Sequence, residues 1–86
     1  MFTSLGQRNA VKIAASMYQS SFKYDRQTRQ FTIRYSERLG WEVVDAADAR
    51  VVRRVVYQDW HRVERAMAMI KYEEALLRRA GWRESA

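Results

Sequence analysis

Residues 1–21 place apolar side chains at helical spacing, with polar residues between them. Ser4 and Gln7 stand near the start at the spacing of a capping box, in which each side chain satisfies a free backbone N–H group. The pattern predicts an N-terminal helix over residues 1–21. The apolar stripe of this helix consists of Ala10, Ile13, Ala14, Met17 and Tyr18.

Apolar and polar residues alternate with a period of two over residues 22–45, which is typical of half-buried β-strands. The polar segment "DRQTR" interrupts the alternation and predicts the turn of a β-hairpin. The glycine of "ERLG" predicts a second turn, and the alternation resumes in "WEVV". We therefore expect a three-stranded antiparallel meander. Its apolar positions are Phe22, Tyr24, Phe31, Ile33, Tyr35, Trp41 and Val43.

Residues 46–80 contain neither glycine nor proline and predict one long helix. Asp45 precedes this segment as an N-cap, and Gly81 follows it as a left-handed C-cap. Such a helix would be about 52 Å long, because each residue adds about 1.5 Å. It would extend beyond its own small sheet, so we expect its C-terminal half to pack on a second chain. The side chains predicted at that interface are Val63, Met67, Ile70 and Leu77.

Asp59 interrupts the apolar stripe of the long helix and leaves two alternatives. As an N-cap, Asp59 would split the helix at "YQDWH". In an unbroken or kinked helix, the carboxylate would need a partner such as an arginine, because a lone buried charge is costly. The unbroken or merely kinked helix is the favoured interpretation.

These segments together predict a single small α+β domain over residues 1–86, with the element order α-β-β-β-α. The N-terminal helix covers 1–21, the sheet 22–45 and the long helix 46–80, and 81–86 form a tail. Double-stranded-RNA-binding domains share this order, but their last helix starts with a lysine-rich segment, whereas this one starts with "DAADARVVRR". The order of elements alone indicates no function.

The charge of the chain indicates an anionic partner. Sixteen basic and ten acidic side chains give a net charge of +6, and most of the basic residues are arginine. Arginine presents a planar fork of donors that suits phosphate groups. We expect a nucleic-acid-binding patch on the hairpin, although an ordinary solvated face would carry similar charges. The predicted patch consists of Lys23, Arg26, Arg29 and Arg34, joined by Arg8 and Lys12 from the first helix.

The hexapeptide "QFTIRY" resembles the β-strand of Arc-type ribbon-helix-helix repressors. The resemblance implies that Gln30, Thr32 and Arg34 read bases in the major groove, where glutamine and arginine make bidentate contacts. It implies further that Phe31, Ile33 and Tyr35 face the core. That family has two helices joined by a short turn after the strand, whereas "LGWEVV" predicts another strand here.

Several chemistries lack the residues that they need. The chain contains no cysteine, so it forms no disulfide and has no thiolate nucleophile. His61 is the only histidine, and it stands alone on the arginine-rich side of the predicted helix. Glu73 and Glu74 are interpreted as helix-surface residues, since neighbours on a helix point in different directions. We expect no enzymatic activity, catalytic residue, cofactor, metal site, small-molecule substrate or membrane span.

The sequence therefore predicts a small basic non-enzymatic protein that binds nucleic acid or a nucleoprotein complex through a basic β-hairpin. The alternative is a protein-interaction module that docks through its helices. It would be an accessory subunit of a larger assembly or a small phage-type inhibitor of a host complex, as a homodimer or a hetero-complex. The lack of cysteine fits a reducing, cytoplasmic compartment. The acid-free N-terminus is also typical of organelle transit peptides, so an organellar address is a second possibility.

Overall fold

Residues 16–85, the part of the chain that the computed structural model describes, form one antiparallel sheet and one helix. The elements are β1 (Ser16–Tyr24), β2 (Gln27–Ser36), β3 (Gly40–Ala47), β4 (Arg50–Tyr57), α1 (Trp60–Arg79) and β5 (Arg83–Ser85). The strands lie in the order β4-β3-β2-β1-β5, so β4 and β5 are the edges of the sheet. Strands β1 to β4 follow each other as hairpins, and α1 then carries the chain back to pair β5 with β1.

The core lies between α1 and one face of the sheet. Alternate residues of β1 and β2 point to this face, and Phe22, Phe31 and Ile33 are fully buried there. Val63 and Ile70 reach them from α1, where they stand two helical turns apart. The alternating apolar residues of the strands and the apolar residues at helical spacing on α1 therefore pack together in one layer.

The predicted N-terminal helix is wrong over residues 16–21, which belong to β1. Residues 1–15, including the capping box and most of the predicted stripe, lie outside the described residues. In β1, Tyr18 pairs with Ile33 and Ser20 with Phe31 of β2. This pairing extends the hairpin towards the N-terminus, and it outweighs the local helical spacing of Met17 and Tyr18.

The predicted helix over 46–80 is also wrong, because its first part forms the end of β3 and all of β4. Asp48 and Ala49 make a two-residue turn in which both have positive φ, 52° and 66°. Such a turn joins antiparallel strands with the correct twist. The Asp48 carboxylate accepts a hydrogen bond from the Thr28 backbone N–H at 2.9 Å, which holds the turn against β2. The fold is therefore α+β with order β-β-β-β-α-β, and the predicted α-β-β-β-α order is corrected.

Asp59 is the N-cap of α1, so the favoured unbroken helix is wrong. The Asp59 side chain accepts a hydrogen bond from the His61 backbone N–H at 3.0 Å. A strand, β4, precedes this cap. Asp45, the predicted N-cap, lies within β3. Gly81 follows the end of α1 with a φ of 99°, and Trp82 beyond it stacks on Tyr24.

Glu74 is buried on the face of α1 that packs against the sheet, although the sequence indicated a surface position. Its carboxylate accepts hydrogen bonds from the hydroxyl groups of Tyr18 and of Ser20, the second at 2.6 Å. The ammonium of Lys71 lies 4.7 Å from the centre of the Tyr18 ring. The acid thus ties α1 to β1 through two hydroxyl donors.

Gly40 and Gly81 have nearly the same positive φ but different surroundings, which allows a paired test. A Cβ on Gly40 would lie 2.6 Å from the Tyr57 carbonyl oxygen, whereas one on Gly81 would lie 3.4 Å from the Tyr24 ring. We expect Gly81→Ala to destabilise by about 1–2 kcal/mol through the strained φ alone. Gly40→Ala should cost about 1 kcal/mol more, because backbone must also move. Urea unfolding of both variants measures the difference, and equal costs would contradict the close approach.

Candidate functional site

A groove of about 510 Å³ lies between α1 and the β3–β4 side of the sheet. The pairing of the strands places a row of apolar residues beneath the groove, because Ile33 pairs with Val43 and Val43 pairs with Val55. These residues point to the helix side, so the floor of the groove is largely apolar. The groove is lined by Phe31, Val43, Asp45, Arg53, Val55, Tyr57, Arg62, Arg65, Ala66, Met69, Ile70 and Glu73.

One end of the groove holds a compact ion-pair cluster. The Arg29 guanidinium lies 3.2 Å from the Asp45 carboxylate and 3.1 Å from the Glu73 carboxylate. Arg29 also lies over the Phe31 ring, 5.1 Å from its centre. One arginine therefore joins β2, β3 and α1, and it faces two acidic groups.

Three further arginines line the same groove, and we call Arg53, Arg62 and Arg65 the groove arginines. None of them forms a salt bridge with an acidic side chain of residues 16–85. Residues 1–15 contain no Asp or Glu that could neutralise them. The groove therefore combines an apolar floor with guanidinium groups that are available to an anion.

The hairpin residues predicted to bind nucleic acid do not form one patch. Arg29 points to the helix side and is held in the ion-pair cluster, while Lys23 and Arg26 are exposed. Arg34 lies on the opposite face of the sheet from the helix, where it donates to Glu42 at 2.7 Å. The predicted residues Arg8 and Lys12 lie outside the described residues.

Glu42 holds two arginines on the sheet face that lies away from the helix. It accepts hydrogen bonds from Arg34 of β2 and Arg54 of β4, its two neighbouring strands. Burial alone would raise the pKa of Glu42, but these two hydrogen bonds outweigh burial and lower the pKa below its ordinary value of 4.5. Glu42 is therefore ionised at neutral pH, and its negative charge offsets part of the positive charge of Arg34.

The readers implied by the repressor resemblance lie on β2, which is an internal strand of the sheet. Gln30 and Thr32 are half-buried on the face away from the helix, between β1 and β3. The chain continues from β2 into β3, not into the pair of helices that the repressor family has. The helical part of the resemblance is therefore absent from residues 16–85.

The four residues predicted at a helix interface face the chain's own sheet. Val63 and Ile70 are buried in the core, and Met67 and Leu77 pack against it. The predicted overhang does not arise, because α1 has 20 residues. The large apolar residues that α1 exposes are a different set, namely Trp60, Met69, Tyr72 and Leu76.

The groove arginines were not among the predicted binding residues, because the sequence predicts one long helix over residues 46–80 and a binding patch on the hairpin. The sequence does contain one indication of a basic surface here, because residues 50–65 hold five arginines and only two acidic residues. The hairpin segment 23–34 has a similar excess, with four basic residues and one acid. The partners that neutralise Arg29 and Arg34 lie far along the chain, so local charge could not separate the two regions.

Between residues 16 and 85, no group of three or more acidic or histidine side chains is placed to hold a metal ion. The helix in this range is not apolar enough over its length to cross a membrane. Comparison with known protein families, curated proteins and solved structures found no match.

Proposed function

We propose that the chain is a small non-enzymatic nucleic-acid-binding protein whose groove arginines, Arg53, Arg62 and Arg65, hold phosphate groups. The observation that carries the proposal is that these three arginines line one concave surface and form no salt bridge with an acidic side chain of residues 16–85. The basic hairpin is a weaker candidate, because acidic residues already engage Arg29 and Arg34.

The chemistry of the groove arginines suits a phosphate backbone. Each guanidinium can donate two parallel hydrogen bonds to one phosphate. Arg50, at the start of β4, adds positive charge on the strand that carries Arg53. Phosphate contacts of this kind carry no sequence information and weaken steeply with added salt, because binding releases counterions.

We expect the triple variant Arg53→Gln, Arg62→Gln, Arg65→Gln to lose most of its affinity for a mixed-sequence oligonucleotide. The slope of log affinity against log salt should become shallower by about 2–3, since each lost phosphate contact removes roughly 0.7–0.9. Fluorescence anisotropy across a salt series measures both quantities.

A matched control removes three positive charges on the β1–β5 side of the sheet, away from the β3–β4 side that bears the groove. Lys23 and Arg83 are cross-strand neighbours on β1 and β5, and Arg26 lies in the adjacent turn. Lys23→Gln, Arg26→Gln, Arg83→Gln should leave most of the affinity and the slope intact. A large loss in this control, with near-normal binding by the groove variant, would move the site to the hairpin.

The alternative function, a protein-interaction module, is favoured by the exposed apolar stripe of α1. Met69 and Tyr72 are each 63% exposed, and Leu76 follows them one turn later. Apolar burial is not screened by salt, so association through this stripe would persist at high ionic strength. Sedimentation of the chain with and without oligonucleotide, at low and high salt, separates the two functions.

A further inference from the structure

The apolar floor of the groove has no role in holding phosphate. Val43, Val55 and Tyr57 are only partly covered by α1, so they leave apolar surface beneath the groove arginines. The volume of about 510 Å³ lies within the range of roughly 300–1,000 Å³ that small-ligand clefts occupy. A ligand that fits the whole groove therefore has a flat or apolar part as well as an anionic part.

The basic and acidic residues that α1 contributes to the groove lie at different positions along the helix. Arg62 and Glu73 lie eleven residues apart on the helix, about 16 Å along its axis. Glu73 and Asp45 meet at Arg29, and both are acceptors with lone pairs that one guanidinium does not exhaust. Arg53 stands opposite Asp45 on the neighbouring strand, so this end offers a guanidinium to a phosphate and, beside it, carboxylates to a group that donates N–H.

We propose that the groove takes an unstacked base of a single-stranded nucleic acid, while the groove arginines hold the neighbouring phosphates. The inference rests on the proposed function and names its ligand class. The faces of the base cover the apolar floor, and an exocyclic amino group donates to Asp45 or Glu73. A base in a duplex cannot do this, because its faces are stacked and its amino group is paired.

The first test compares the affinities of the wild-type protein for different oligonucleotides. A labelled single strand should bind about tenfold more tightly than the same strand annealed to its complement, the effect of roughly one stacked base. An adenine-rich strand should bind more tightly than a thymine-rich one, because thymine has no exocyclic amino group. Equal affinity for single strand and duplex would overturn the inference and leave phosphate binding by the groove arginines standing.

A variant that fills the groove provides the second test. Ala66 lines the groove from α1, and Ala66→Trp would occupy it without removing any arginine. We expect the ratio of single-strand affinity to duplex affinity to fall from about ten to about one in this variant. Val55→Phe fills the groove from β4 and replaces Ala66→Trp if that variant does not fold, as judged by a cooperative thermal transition.

The outcomes separate the inference from the proposed function. An unchanged single-strand preference in a folded, filled variant would overturn the inference alone. Displacement of the single strand by a long-chain fatty acid, with no displacement by adenosine monophosphate, would assign the groove to a lipid-like anion and would also overturn it. Absence of any oligonucleotide or heparin binding by wild-type protein would overturn the proposed function itself.

Discussion

Replacement of Glu74 by alanine is expected to lower the free energy of unfolding by about 3–5 kcal/mol. The substitution removes the acceptor of two hydroxyl groups, those of Tyr18 and of the buried Ser20. A buried donor left without an acceptor costs roughly 1–3 kcal/mol. The lost methylene groups of Glu74 leave a cavity, which adds to this cost.

The neighbouring acid provides the control for Glu74. Glu73 has a side chain that is 46% exposed, and its ion pair with Arg29 is only partly buried. Glu73→Ala should therefore cost at most about 1 kcal/mol. Glu74→Gln keeps a carbonyl acceptor of the same length, so its cost should fall between those two. Equal effects of Glu73→Ala and Glu74→Ala in urea unfolding would show that Glu74 is not tied to β1.

Ile33→Ala is expected to destabilise the protein by about 2–5 kcal/mol, through lost burial and the cavity that remains. Ile33 is fully buried at the centre of the sheet, between Tyr18 of β1 and Val43 of β3. Both neighbouring strands and α1 are fixed around this position, so little collapse into the cavity is possible.

Val52→Ala on the edge strand is the control for Ile33. Val52 is 63% exposed, so its truncation should change stability by no more than about 0.5 kcal/mol. Thermal or urea unfolding of the two variants gives the comparison. A shift of only a few tenths of a kcal/mol for Ile33→Ala would mean that β2 is not covered by the helix.

The strands of the first half could be predicted because their pattern is unambiguous. Phe31 and Ile33 alternate with polar residues, and the structure buries both of them. The same logic failed for β4, whose sequence "RVVRRVVY" places valine and arginine on both faces. Its valines at 52, 55 and 56 also fit helical spacing, so periodicity could not decide. The density of β-branched residues was the better signal.

The turn before β4 explains why the hairpin of β3 and β4 was not predicted. Two-residue turns with positive φ at both positions usually contain glycine or asparagine, whereas this one is Asp48-Ala49. Alanine at a φ of 66° is unfavourable by itself, at about 1–2 kcal/mol. The hydrogen bonds between Asp48 and Thr28 offset this cost, and they connect positions twenty residues apart. No local pattern indicates such a contact.

The candidate site could not be predicted for a related reason. Arginines were expected to bind the partner, but whether an arginine is available to a partner depends on its distance to acids elsewhere in the chain. Arg29 meets Glu73 across forty-four residues, and that pairing exists only once α1 lies on the sheet. The sequence indicates how much positive charge the chain carries, and the fold determines which part of that charge faces the groove.

The position of β5 beside β1 has a consequence for the order in which the protein folds. The four strands β1 to β4 are joined by short turns, so each hairpin can form soon after its residues leave the ribosome. β5 pairs Ser85 with Ser21, sixty-four residues earlier, and it forms only after α1 has crossed the sheet. Until then, β1 exposes unpaired backbone groups between Ser21 and Lys23. A nascent or truncated chain that ends within α1 would therefore present an open strand edge, and it would be the form most prone to aggregate.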